Sequence, residues 1–260
     1  MTAPQPLDPL VTRARDLAVA ALELSGDLDK GVLVPYGGRV SVAAVGLTLR
    51  ARRLVRAAVR LADEASWLEA QILLRTLLEY VITLEWIAAD PELRILSWWQ
   101  ADERSFDVMV SEVSSLISQP IEIPAADDAA RRDLIEQIAK EAAAAGAPPY
   151  PSLQERARQV RGSLAYSLLF RLYSQGGVHP FRQSLLPLLQ DMPERKAVLV
   201  HAHPKEGPVD DPYYLCAVLL VIALERLSGL EPGLQLPSVE PLKRQLMDLK
   251  RDIDAEGGAP

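Results

Sequence analysis

Between Ser66 and Ala88 the chain carries apolar residues on nearly every side of a helix: Leu68, Ile72, Leu73, Leu74, Leu77, Leu78, Val81, Ile82, Leu84 and Trp86. At 100° per residue they leave no wide polar face, so this segment has to be wrapped by other elements. Composition says what those elements are. Aromatic residues make up 5% of the chain, while Ala, Leu, Glu, Arg and Gln dominate the periodic stretches, a balance that favours helix over strand. The sequence predicts an all-α, single-domain bundle over residues 1–260, with about nine or ten helices around a central helix at 66–88.

Punctuation sets the other helices. Asp8 caps a first helix to Leu24 with Pro9 at its first position, and a loop with Gly31, Pro35, Gly37 and Gly38 follows. A second helix spans Val40–Ala62. Asp90-Pro91 ends the central helix and opens another over Glu92–Ile117, with Trp98, Trp99, Phe106 and Val110 facing inward. Asp127–Ala145 is a helix stopped by Gly146, and Pro148-Pro149-Tyr150-Pro151 makes a stiff connector, so 146–151 is the best candidate for an internal boundary. Neither flank has enough helices to enclose the central one alone, which favours one domain. Ser152 and Glu155 form a capping-box pattern. Gly176-Gly177 breaks a helix that restarts at His179-Pro180, and Pro187 bends or ends it. Lys196–His203 alternates weakly enough to be extended. Asp210 caps a helix through Leu227, and Ser238–Ile253 is amphipathic with Leu242, Leu246, Leu249 and Ile253 on one stripe.

Charge and cysteine content narrow the partners. A net charge of −7 repels phosphate backbones and anionic membranes, so neither nucleic acid nor a membrane is an expected partner. The one basic cluster, Arg50, Arg52, Arg53, Arg56 and Arg60, reads as the solvated face of a helix. Cys216 stands alone in an apolar run and packs as a small hydrophobe. No basic-then-apolar leader opens the sequence, and the apolar run Tyr213–Leu224 is too short to span a bilayer, so a cytoplasmic location is expected.

Three polar constellations carry what chemistry there is. Arg75 and Glu79 lie one turn apart, and the arc that holds Gln71, Arg75, Glu79 and Thr83 also holds Leu68, Ile72, Ile82 and Trp86. The pair is therefore expected to be partly buried, either as an ion pair that sets helix docking or as an anion site with Glu79 as base or orienter. Arg171, Tyr173, Ser174, His179 and Arg182 flank the glycine break. There the imidazole of His179 meets a helix N-terminus that keeps it neutral, as a proton acceptor or simply as a cap. His201-Ala202-His203 would turn both rings to one side only on a strand; a polar loop is the expected reading, with no metal and no cofactor. Phosphate loops, dinucleotide fingerprints and nucleophile elbows are absent.

The stretch Ile72-Leu73-Leu74-Arg75-Thr76-Leu77-Leu78-Glu79-Tyr80, with Trp86-Ile87 and Asp90-Pro91-Glu92, resembles a motif of an uncharacterised bacterial all-helical family, domain of unknown function 5677. Tyr173-Ser174-Gln175-Gly176-Gly177-Val178-His179-Pro180 is similar to its second motif. The resemblance spans roughly Leu47–Leu188 and implies a fold, with Arg75, Glu79, Ser174 and His179 as the recurring polar positions. The family is in turn distantly similar to helical nucleases of prokaryotic toxin and defence systems, although Arg171 and His179 stand farther apart in this chain than their counterparts.

Two functional readings follow. In the first the chain is a binding or regulatory module, in keeping with a homodimer, that grips a small anionic ligand through this cluster with Arg171, Ser174 and Arg182 as binding residues. In the second it is a metal-independent hydrolase or ribonuclease, with His179 as general base, Glu79 beside it and Arg75 stabilising developing charge.

Overall fold

The computed structural model describes residues 8–35, 38–116, 125–161, 189–192, 197–200 and 212–257. Among them are eight α-helices: α1 Pro9–Leu24, α2 Arg39–Asp63, α3 Trp67–Ala89, α4 Pro91–Leu116, α5 Ala125–Ala145, α6 Leu153–Arg161, α7 Pro212–Leu230 and α8 Glu240–Gly257. The all-α class is as expected, with eight α-helices among the described residues rather than nine or ten. Two features depart from pure α-helix. A 3-10 helix at Gly26–Lys30 occupies part of what reads as loop in the sequence. A small antiparallel hairpin joins β1, Leu189–Met192, to β2, Ala197–Val200, with Leu189 opposite Val200 and Met192 opposite Ala197. β2 falls within the stretch expected to be extended, whereas the sequence pattern indicates no strand directly after Pro187.

Helix ends follow local chemistry. The Asp8 side chain accepts the Leu10 N–H at 2.7 Å, with Pro9 beginning α1, and the Ser152 hydroxyl accepts the Glu155 N–H at 3.3 Å to open α6. Gly146 takes a φ of 68° to stop α5, and the Ala147 N–H returns to the Ala142 carbonyl at 2.9 Å, the closing bond of a left-handed helix cap. The turn between α2 and α3 uses the same device with a less suitable residue. Ala65 has a φ of 58°, and the Ser66 N–H reaches back to the Leu61 carbonyl at 2.8 Å.

The core forms where α3 meets α2 and α7. Seven successive residues of α3, Val81 to Ile87, are buried, so this half of the helix is enclosed on all sides. Ile72, which its pattern assigns to the centre, is exposed at 36%; the enclosed part of α3 is its second half. α7 runs between α1, α2 and α3 and buries Tyr213, Cys216, Leu220, Leu224 and Leu227, each full burial of a large apolar side chain contributing about 1.5–3 kcal/mol. It is also the one described helix long and apolar enough to cross a membrane by length and composition, longer than its apolar run alone indicates; half of its most apolar window is buried in the protein. α8 lays Leu242, Leu246 and Leu249 against the same core.

Polar clasps fix the outer helices. Asp63, at the end of α2, accepts both Arg15 Nε at 2.7 Å and Arg15 Nη2 at 3.0 Å, and the buried Tyr213 hydroxyl at 2.8 Å. One carboxylate thus joins α1, α2 and α7. The arginine face of α2 needs a correction: Arg50, Arg53, Arg56 and Arg60 are exposed, but Arg52 is buried at 3%. Its guanidinium donates to the Ser25 hydroxyl at 2.8 Å, to the Leu22 carbonyl at 3.0 Å and to Asp29. The end of α1 and the 3-10 helix supply acceptors there, which periodicity on α2 alone does not reveal. The 146–151 connector is docked rather than loose: the Pro148 carbonyl accepts the Ser97 hydroxyl at 2.6 Å, and the Tyr150 ring meets Trp86 edge-on at 5.5 Å.

Candidate functional site

Arg75 Nη2 lies 3.4 Å from Glu79 Oε1, with side chains 27% and 36% exposed. The pair is half-buried, as its interrupted arc implies. One turn further the Thr83 hydroxyl donates to the Glu79 carbonyl at 2.7 Å and accepts from the buried guanidinium of Arg156 on α6. That guanidinium stacks 4.4 Å from the Tyr150 ring centre. The polar stripe of α3 therefore leads into its packing with α6. Arg171, Ser174, His179 and Arg182 lie outside the described residues, as do His201 and His203, and the expected meeting of Glu79 or Arg75 with the His179 imidazole lies outside them too. Among the described residues no three His, Cys, Asp or Glu side chains gather as a metal site.

Sequence reasoning missed Glu85, although it lies on the stripe of Leu78, Val81 and Ile82. Its side chain is 4% exposed and faces the guanidinium of Arg226 on α7 at 3.3 Å; Arg226 is 41% exposed. Beside them is a recess of about 230 Å³ lined by Glu85, Ala88 and Ala89 of α3, Gln159 and Val160 of α6, and Arg226. Gln159 is oriented from both ends. Its carbonyl oxygen accepts the Trp86 indole N–H at 2.9 Å, and its amide nitrogen donates to Glu155 at 3.1 Å. Arg158 first and Gln159 second hold the Glu155 carboxyl below its usual range.

A larger cleft, of about 450 Å³, opens between α2, α3 and α4, within the volume range of small-molecule sites. α2 contributes Val42, Ala43, Gly46, Leu47 and Arg50, α3 contributes Tyr80, and α4 contributes Trp98 and Trp99. Arg50 lies 5.9 Å from the centre of the Tyr80 ring and has no ion-pair partner among the described residues. Arg39 lies 6.0 Å from the Trp99 ring and is paired with Glu141 of α5. Arg39 first and Gln137 second keep the Glu141 carboxyl below its usual range. The indole nitrogen of Trp99 is buried with no acceptor among the described residues, a donor that costs free energy unless something meets it. The sequence pattern makes Trp98 and Trp99 inward-facing core residues; both are partly buried and pack on the core, and both also wall this cleft. An aromatic pair beside a helix with a glycine at the facing position is the sequence signal that could have pointed to it. A Cβ at Gly46 would meet nothing within 4 Å.

The site residues that the sequence nominates and the cleft that the fold adds fall within one recognisable stretch. Residues 41–196 match the family of unknown function DUF5677, a span that encloses Arg75, Glu79, Arg171, Ser174, His179 and Arg182 and stops short of His201 and α7. No curated protein and no solved structure matches the chain. With more than half of its length covered by that match, the chain belongs to the DUF5677 family.

Proposed function

We propose that this protein is a binding module for an amphipathic organic anion, held in the α2–α3–α4 cleft. One observation carries the reading: the cleft sets the exposed guanidinium of Arg50 beside the Tyr80 ring, with the rings of Trp98 and Trp99 completing its aromatic wall. A planar apolar body would pack between Trp98, Tyr80 and Leu47, and its acid group would face Arg50, which at an exposed site discriminates charge modestly. The anionic ligand expected from the sequence is kept; the residues that hold it move from the Arg75–His179 cluster to the cleft.

The test is titration calorimetry, with tryptophan fluorescence alongside, using 1-naphthoate and the neutral 1-naphthalenemethanol. Naphthoate should bind saturably and more tightly than the alcohol. Arg50→Gln should weaken naphthoate roughly fivefold to tenfold, the equivalent of about 1–1.4 kcal/mol, and leave the alcohol unchanged. Gly46→Leu should remove both while leaving the protein as stable or more so, because leucine is the better helix former by up to about 1 kcal/mol. Equal binding of the acid and the alcohol, or unchanged binding by Gly46→Leu, would refute the proposal.

A further inference from the structure

α2 carries six arginines and one acid, Asp63, in 25 residues, within a chain whose net charge is −7. Arg52 is buried against Ser25 and Asp29, Arg39 pairs with Glu141, and Arg50 lines the aryl-acid cleft. The other three, Arg53, Arg56 and Arg60, are exposed. Arg53 and Arg60 stand two turns apart, so they point within roughly 20° of each other and lie about 10 Å apart along the helix axis. Half-buried Ala57 sits between them, a short side chain that leaves a shallow saddle between two guanidiniums.

Ion pairing separates this face from an ordinary solvated one. Exposed arginines elsewhere meet carboxylates: Arg13 meets Asp252, Arg158 meets Glu155 and Arg251 meets Asp248. Around α2 the acids are already engaged. Asp29 is shared by Arg52 and Arg56, and Asp63 is held by Arg15 and Tyr213. Arg53 and Arg60 have no ion-pair partner among the described residues. Arg50 and Arg56 lie one turn to either side of Arg53, and Arg56 lies one turn before Arg60; like charges at that spacing repel. The free protein therefore carries a row of repulsion that an anionic surface would relieve.

We propose that this face docks an acidic helix of a partner protein. Carboxylates two turns apart on that helix meet Arg53 and Arg60, each guanidinium presenting parallel N–H donors to a carboxylate, and an apolar side chain between them sits over Ala57. A single-stranded nucleic acid fits less well: the stretch from Arg53 to Arg60 holds no aromatic residue for a base to stack on, and the net charge of the chain repels a polyanion. Arg53, Ala57 and Arg60 do not line the aryl-acid cleft.

The experiment is fluorescence anisotropy of the full chain with a labelled alanine-based peptide of about 20 residues, long enough to be helical alone, with glutamates at the two-turn spacing. The peptide should bind saturably and more weakly as salt rises. Arg53→Gln combined with Arg60→Gln should weaken it about tenfold or more, with the Tm unchanged or raised as repulsion falls. Arg244→Gln combined with Arg251→Gln, at exposed positions on α8, removes the same charge and should leave binding within about twofold. A peptide of the same composition with its glutamates out of register should bind clearly less well. No saturable binding, equal binding of the out-of-register peptide, equal loss from the α8 pair, or tighter binding of single-stranded DNA overturns the proposal. Self-association of the chain that the Arg53 and Arg60 substitutions abolish would overturn it too, assigning the face to a second copy. Naphthoate binding, which these substitutions should not alter, reports on the cleft separately.

Discussion

Cutting the clasp at Asp63 gives the sharpest test of how the outer helices are held. The Tyr213 hydroxyl, on a fully buried residue, donates to Asp63 at 2.8 Å, and a hydrogen bond to a charged acceptor contributes about 1.5–3 kcal/mol. Tyr213→Phe should therefore cost about 2 kcal/mol. The Arg15 pair adds little, since the two side chains are 38% and 32% exposed and solvent screening holds such pairs to about 1 kcal/mol or less. Asp63→Ala loses both and should cost about 3 kcal/mol, a fall in Tm of about 6–12 °C for a chain of this length. The double variant should cost no more than Asp63→Ala, because both changes remove the same Tyr213–Asp63 hydrogen bond, giving a coupling of about 2 kcal/mol. The sign with pH follows from the lowered pKa of Asp63, set first by the Arg15 hydrogen bond and also by that of Tyr213, against burial. A depressed carboxyl stabilises the fold fully above its unfolded value, about pH 4, and loses that contribution as pH falls through the folded value. Urea unfolding followed by circular dichroism at pH 7 and at steps down to pH 3 measures all three variants. A neutral Tyr213→Phe, strict additivity in the double variant, or a gap between wild type and Asp63→Ala that persists unchanged in acid would refute the reasoning.

Two further predictions concern the backbone and the boundary of the fold. Ala65→Gly should raise stability by about 0.5–1 kcal/mol, since relief of the left-handed strain of about 1–2 kcal/mol exceeds the added chain entropy of about 0.4–1 kcal/mol; an unchanged or lower Tm contradicts it. The isolated family-matched stretch, 41–196, should show no cooperative thermal transition, because it lacks α1 and α7, which cover α2 and α3; a sharp melt of that fragment would show that its own helices suffice.

The helices are legible because their signals are local. Asp8 with Pro9, Ser152 with Glu155 and the glycine at 146 act within a turn of where they stand, and the all-round apolar pattern of α3 identifies the helix at the centre of the core. The clefts are not legible, because each is assembled from residues far apart in the chain. Arg39 meets Glu141 across 102 positions and Glu85 meets Arg226 across 141, distances at which periodicity carries no information. Arg52 shows the same limit on a smaller scale: its helix face reads as solvated until the 3-10 helix supplies Asp29. A charged residue on an otherwise apolar stripe, such as Glu85 beside Val81 and Ile82, is the local sign that a distant partner exists. Arg75 and Glu79 stand out through their interrupted arc, and their half-buried pairing is what that arc implies.

The position of α7 bears on how the protein is made. Emerging in order from a ribosome at about 5–20 residues per second, the end of α7 follows the end of α3 by an interval on the order of ten seconds. Throughout that interval the faces of α2 and α3 that α7 covers have no cover of their own, and the nascent chain presents a continuous greasy surface to the cell. Premature collapse or capture by a holdase is the hazard built into this order of helices, and a slower translation of the stretch after α6 would lengthen the exposure rather than relieve it.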